Sequence, residues 1–485
     1  MTPLHRLSRR LLSLRTLHRQ SLITLGAVLI TTLLGYVATM YFARTLGQGI
    51  LGAYFLFLSY LGIAGLVTDG GFKSAAIKRI SEGRDQGAYF GAFIVLRLIL
   101  FAGMAAVLLA AQPLFVDMNA SGVFLWLIVS LGVEAVVSIT GIGVYGTGKT
   151  GAHQVGRIAS ALVRIAVQIT AVAAGLGLAG LAGGFVAGII AGGAVNLLFL
   201  PIAPARFTTR HLRSLFSFSL WALLSGSSMV IIGNADSILI GYFLENADVG
   251  LYRVAFQFAG MASLAAGVLS TVLFPAISSL HARREMEGVQ RILGRGISWS
   301  LALAVPVCVG GLFLGKRLLY FLYGASFTPA AGAFFVLLLA QGVSAMLLLE
   351  TTAITAMDRP KAVFLLTGSA AVVNVLLTVT LIPVLGITGA AAATSASTLL
   401  QAVGAHRIIR GDLGSVIEWR SIRSIAVSAG GLALFLGVYL AAVSPTWFPA
   451  VLVAVVGGGA VYFSILLVID DGLRREVAGI LRATE

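Results

Sequence analysis

Arg97, Arg164, Arg253, Glu134, Asp236 and Glu350 all stand inside long apolar stretches of the sequence, with Asp69 at the end of another. A charged side chain at the centre of a membrane helix costs roughly 2.5–3.5 kcal/mol even on the lenient insertion scale, so such residues are kept for a purpose. As a set they lean basic, and the chemistry that suits them is the holding of an anionic head group in a water-accessible cavity. For each residue a plainer reading stays open. Arg97 or Arg164 would pair with Glu134, Arg253 would reach the outer surface, and Asp69 would pair with Lys73 one helical turn on. Asn196, Asn234 and Asn374 suit hydrogen bonds between helices.

Enzyme chemistry finds little support. Gly143-Val144-Tyr145-Gly146-Thr147-Gly148-Lys149-Thr150 satisfies the phosphate-binding pattern G-x-x-x-x-G-K-[ST]. That motif needs a strand before it and a nucleotide pocket around it, whereas apolar spans flank it here, so Lys149 reads as an anchor at the membrane face. Asp470 and Asp471 stand alone, the six histidines are dispersed, and Cys308 is the single cysteine. No metal, no cofactor and no catalytic residue is expected.

The elements that must position these residues are membrane helices. The chain is 58% hydrophobic and 11% charged, with mean hydropathy +0.99; a soluble domain carries about 25% charged residues. Apolar segments near the twenty-residue requirement fall at 21–43, 50–68, 88–111, 122–146, 155–176, 180–202, 215–243, 250–277, 296–315, 330–356, 362–382, 387–409, 422–443 and 448–469. These predict an all-α polytopic membrane protein of about fourteen transmembrane helices. With the N-terminus inside, Arg44, Lys316 and Arg317 fall on outer loops and Arg97, Arg164 and Arg253 inside spans. Every other lysine and arginine falls on a cytoplasmic segment or at the cytoplasmic end of a span. That alternation predicts cytoplasmic N- and C-termini and removes nucleic acid as the reason for the net charge of +15.

A faint repeat divides the chain. Leu176-Gly177-Leu178-Ala179-Gly180-Leu181-Ala182-Gly183 resembles Leu385-Gly386-Ile387-Thr388-Gly389-Ala390-Ala391-Ala392, and Leu51-Gly52-Ala53-Tyr54 resembles Val249-Gly250-Leu251-Tyr252. The offset implies two six-helix halves of the same orientation followed by two further helices. The expected division is a basic tail at 1–20, an N-lobe at 21–213, a C-lobe at 214–410, and 411–485 for the last two helices and C-terminus. Gly180, Gly184, Gly188 and Gly192 recur every fourth residue, a ridge that lets a neighbouring helix approach closely. Ala390, Thr394, Thr398 and Ala402 form a comparable ridge in the second half.

Local sequences carry a resemblance. Tyr41-Phe42-Ala43-Arg44-Thr45-Leu46-Gly47 with Leu51-Gly52-Ala53-Tyr54, and Thr68-Asp69-Gly70-Gly71-Phe72 with Lys78-Arg79-Ile80, resemble the opening of polysaccharide-export flippases. The run Asn234-Ala235-Asp236-Ser237-Ile238-Leu239-Ile240-Gly241 and the turn Ile382-Pro383-Val384-Leu385-Gly386-Ile387-Thr388-Gly389 are similar to that family's later signatures. The family belongs to the multidrug/oligosaccharidyl-lipid/polysaccharide (MOP) exporter superfamily. The resemblance implies two MATE-like six-helix lobes around a V-shaped central cavity. It also implies a flippase that carries a polyprenyl-(pyro)phosphate-linked oligosaccharide from the cytoplasmic to the outer leaflet of the cell membrane by alternating access. Partners would be the lipid-linked oligosaccharide, membrane lipids, and glycosyltransferases or a polymerase of the same pathway. Site residues do not transfer from the family by motif, so Arg97, Arg164, Arg253, Glu134, Asp236, Glu350 and Asp69 stand on intramembrane charge alone. The alternatives are a multidrug or small-solute antiporter of the same fold, for which a more acidic cavity is expected, and a membrane glycan polymerase or ligase, which needs larger outer loops than these.

Overall fold

The structure is a computed structural model that describes residues 3–115, 118–119, 122–443 and 447–476, with side chains from Ile30 onward except those of Leu114, Leu224 and Ser225. The side chains of the basic segment Arg6 to Arg19, and Arg482 in the C-terminal tail, lie outside the described residues. Among the described residues every regular element is a helix, as lipid demands of a backbone that must satisfy its own polar groups. In chain order these are α1 (Pro3–Asp69), α2 (Phe72–Ser81), α3 (Gln86–Ala110), α4 (Phe124–Gly146), α5 (Thr150–Ala173), α6 (Gly177–Leu198) and α7 (Thr209–Phe243). There follow α8 (Asn246–Ala259), α9 (Leu264–Ala282), α10 (Met286–Tyr323), α11 (Ala331–Ala356), α12 (Pro360–Leu385), α13 (Ile387–Leu413), α14 (Trp419–Val443) and α15 (Phe448–Ile469).

Eleven segments among the described residues are long and apolar enough to cross a membrane, or twelve if the pair Thr209–Leu223 and Gly226–Phe243, bent by 49°, is one span. The sequence led to about fourteen, and that number is not reproduced. Two places account for the difference. The expected spans 21–43 and 50–68 run together in α1, which kinks at Gly47 (φ 75°, ψ 177°). The span at 387–409 falls in α13, which carries Thr394, Ser395, Ser397, Gln401, His406 and Arg407 and is less apolar than the others.

The chain forms two compact units, Met1–Asn234 and Ala235–Glu485, with α7 contributing to both. In the first, α5 and α6 lie unusually close. A Cβ on Gly180 would sit 2.9 Å from the Ala171 Cβ, one on Gly188 2.6 Å from the Arg164 Cβ, and one on Gly192 2.9 Å from the Gly156 carbonyl oxygen. The glycine ridge is thus the seam that holds α5 in place. The connection between the expected spans 50–68 and 88–111 is itself helical: α2 buries Phe72, Ala75, Ala76 and Ile80 against α3, α4 and Leu215. Gly71, which precedes it, has φ 75°, and any side chain there would strike the backbone of Ser219.

In the second unit one apolar core is built from α9, α10, α11 and α13, around Leu293, Ile297, Leu349, Ala353 and Ile409. A separate core packs α14 and α15 on α10 through Leu314, Leu432, Leu436, Ala454 and Tyr462. The two final helices therefore belong to the second unit. Both halves of the faint repeat turn on a glycine at positive φ, Gly177 (49°) and Gly386 (58°).

Candidate functional site

Arg97, on α3, is buried with 3% of its surface exposed. Its Nη1 donates to Thr68 Oγ1 at 3.3 Å and lies 3.9 Å from Asp69 Oδ1, both at the end of α1. Its Nε has no hydrogen-bond partner among the described residues. The partner expected from the sequence, Glu134 on α4, does not form an ion pair with it but lines the same cavity. That cavity, about 510 Å³, has Asp69, Lys73, Arg97, Glu134 and Ser138 among its walls. Two cations face two carboxylates, so it is close to electrically balanced.

A second cavity of about 440 Å³ shares Lys73, Glu134 and Ser138 with the first and adds His153, Arg157 and Ser160 from α5 and Asn196 from α6. Asn196 is buried, and its Oδ1 lacks a hydrogen-bond partner among the described residues. A third cavity of about 310 Å³ shares Arg157 and Ser160 with the second and is lined also by Gln154 and Arg164 from α5 and by Thr31 and Thr32 from α1. Cavities with common walls form a row through the first unit, from Arg97 through Asn196 to Arg164. Intramembrane charge points to Arg97, Glu134, Asp69 and Arg164, whereas topology alone places Lys73 and Arg157 among the cytoplasmic anchors. The signal for Arg157 was present: it stands seven residues before Arg164, two helical turns away on the same face.

The second unit holds its charges differently. Asp236 on α7 is buried and accepts hydrogen bonds from Tyr252 Oη on α8 at 2.6 Å, from Thr378 Oγ1 on α12 at 3.1 Å and from Thr394 Oγ1 on α13. Asn374 donates to Thr394 at 3.4 Å. A buried carboxylate with three hydroxyl donors is a satisfied knot that ties four helices. Thr394 belongs to the second small-residue ridge, so that ridge contributes a hydrogen bond as well as space. Tyr54, the repeat counterpart of Tyr252, is likewise buried and accepts from Gln168 Nε2 on α5 at 2.8 Å. Glu350 on α11 is fully buried and pairs with His406 Nδ1 on α13 at 2.8 Å. Arg253 follows Tyr252 on α8 and is half-buried. The structure therefore brings Arg97, Asp69 and Glu134 to one cavity and Arg164 to the same row. Asp236, Glu350 and Arg253 lie in the other unit.

The remaining motifs have local roles. The phosphate-loop match spans the α4–α5 turn, and Lys149 Nζ donates to the Phe199 carbonyl at 3.3 Å, fastening that turn to the end of α6. Asp470 accepts from the backbone N–H groups of Gly472 at 2.9 Å and Leu473 at 3.1 Å, while Asp471 pairs with Arg474 at 2.7 Å.

Comparison with known proteins gives the family. Residues 41–332 match the model of a family described as polysaccharide biosynthesis protein. Over 483 residues, covering 96% of this chain and 98% of the relative, the chain is 30% identical to a probable flippase, AglR, of Haloferax volcanii. It is 24% identical to the probable low-salt glycan biosynthesis flippase Agl15 of the same organism, over 76% of this chain and 78% of that protein. Among solved structures it resembles the lipid II flippase MurJ in an inward closed conformation, with TM-score 0.77 and 16% identity over 94% of this chain and 100% of MurJ. An inward-facing multidrug resistance MATE transporter of the MOP superfamily matches with TM-score 0.62 and 18% identity, over 80% of this chain and 95% of the transporter. The chain belongs to the polysaccharide biosynthesis protein family and is a multi-pass membrane transporter with the fold of the MOP exporters.

Proposed function

We propose that this protein is a flippase for a lipid-linked oligosaccharide, turning the glycan head group from the cytoplasmic to the outer leaflet of the cell membrane, with both of its termini in the cytoplasm. The observation that carries the reading is the row of cavities in the first unit, each with charged and hydrogen-bonding side chains in its walls and together richer in cations than in carboxylates. A glycan cannot cross hydrocarbon unaided, because each hydroxyl or phosphate stripped of water without a partner costs several kcal/mol, roughly 2–7 for a neutral group. The row supplies replacements. Ser138, Ser160, His153 and Asn196 offer hydrogen bonds to sugar hydroxyls, and Arg97 and Arg164 offer charge to the anionic groups of the lipid-linked head. Arg253 and the buried acids of the second unit are ascribed to its own packing and polar network, while the polyprenyl tail stays in the bilayer. Access to the row alternates between the two membrane faces, and no step uses a cofactor. The cytoplasmic termini rest on the basic residues that flank the spans; the glycosyltransferases or polymerase that would supply and use the lipid-linked glycan are the partners this reading requires.

A second reading has one observation in its favour: Asp69 and Glu134 give the largest of the three cavities two carboxylates, which suit a cationic drug in a MATE-like antiporter. Reconstitution into sealed vesicles separates the two. The flippase reading expects accelerated translocation of a fluorescent polyprenyl-phosphate-linked oligosaccharide and no pumping of ethidium. Ethidium export with no effect on the lipid-linked probe would replace it by the antiporter.

A further inference from the structure

Arg157 and Arg164 face one cavity from the same side of α5. Among the described residues the other polar side chains around it are Gln154, Ser160, Thr31 and Thr32, and none of its walls is an acid. Among the described residues neither arginine has a salt bridge or a hydrogen bond, whereas Arg97 has Asp69 and Thr68. Arg164 stands deep in its helix, some 20 Å from the start of α5 at 1.5 Å per residue. An unneutralised guanidinium at that depth is costly unless water or an anion meets it, and Arg157, exposed and two turns nearer the start of α5, adds a second positive charge. The backbones on either side are fixed: the Arg164 Cβ and the Ser160 carbonyl abut Gly188 so closely that no side chain fits between them. The site is thus cationic, on an α5 backbone packed tightly against α6.

It is also set apart from Arg97. Between the two lies the middle cavity, and Glu134 lines both that cavity and the one that holds Arg97. Lys73 and Arg157 line the middle cavity as well, while Arg97 lines only the first cavity and Arg164 only the third, so one compact phosphate does not serve both ends. We propose that Arg157 and Arg164 form a second oxyanion subsite, which takes an acidic group on the glycan while Arg97 with Lys73 meets the phosphate that joins glycan to lipid. The inference rests on the flippase reading and narrows its substrate class to lipid-linked glycans that carry an acidic sugar.

The test uses the full chain in phosphatidylcholine nanodiscs and two farnesyl-diphosphate-linked disaccharides of equal size, one ending in glucuronic acid and one in glucose. The wild-type protein should bind the acidic probe about tenfold more tightly than the neutral one, as an added charge-assisted pair implies. Arg157→Gln with Arg164→Gln should bring that ratio to within about twofold of unity, and the paired lysine variants should keep most of it. Arg97→Gln should weaken both probes and keep the ratio. Retained binding of the neutral probe shows that the glutamine variant is folded. A wild type without preference, a glutamine variant that keeps it, or one that loses both probes equally would overturn the subsite. Replacing phosphatidylcholine by phosphatidylglycerol separates the sources of the oxyanion: an unchanged ratio supports the glycan, and a ratio abolished by phosphatidylglycerol assigns the cavity to a membrane lipid and overturns the proposal. If the wild type binds neither probe, the flippase reading itself fails.

Discussion

Arg97 and Asp236 show two ways of keeping a charge inside a membrane protein. Arg97 is incompletely satisfied, with Nε unpartnered and a cavity beside it. Asp236 is closed in by three hydroxyl donors from three other helices. Tyr252→Phe removes one of those donors while keeping the ring, and a hydrogen bond to a charged group is worth about 1.5–3 kcal/mol. The variant should therefore unfold at lower temperature in detergent, and an unchanged melting temperature would mean the knot carries no load. Lys149 is a surface fastening in this account, so Lys149→Ala should leave ligand translocation near wild type and ATP should not raise the melting temperature. Stabilisation by ATP that the variant abolishes would restore the nucleotide reading. The cost of an intramembrane charge made Arg97, Glu134 and Asp236 legible in the sequence. It could not say which were satisfied, because Thr68, Thr378 and Thr394 become partners only when distant helices pack. Arg157 is not legible as a site residue, because a basic residue near a cytoplasmic helix end is what topology alone predicts.

At the scale of elements the glycine ridge of α6 was read correctly as a packing surface, since four glycines at every fourth position have few other uses. What the spacing could not show is that the ridge presses on α5 at Ser160 and Arg164, residues of the cavity row. Packing and function are coupled there. Gly188→Leu places a side chain where a Cβ alone would meet the Ser160 carbonyl at 2.7 Å, and overpacking of this kind costs about 1–3 kcal/mol. The expected result is a lower melting temperature together with a larger loss of translocation than the stability change explains. Gly35→Ala on α1, which meets nothing within 4 Å, should change neither. Equal effects of the two substitutions would show that the seam is not what holds α5. Helix number was less legible than helix identity. A kink at Gly47 and the polar content of α13 decide how spans are counted, and neither changes which residues lie in which helix.

For the whole molecule, the alternation of basic loops predicts that single cysteines placed at Arg84 or Arg359, in a Cys308→Ser background, react with a membrane-impermeant maleimide only after the membrane is opened, whereas one at Arg44 or Lys316 reacts in intact cells. The reverse pattern would invert the topology and with it the direction of transport. The repeat became visible as chemistry only in the structure, where Tyr54 and Tyr252 each hydrogen-bond within their own unit. The central claim is that the cations of the first unit carry the anionic head group across. Its most direct test is the translocation rate of a fluorescent polyprenyl-phosphate-linked oligosaccharide in sealed vesicles, for the wild type and for Arg97→Gln combined with Arg164→Gln. Losing two charge-assisted contacts should slow translocation by at least about tenfold at equal protein incorporation. A variant that moves the probe at the wild-type rate would contradict the account.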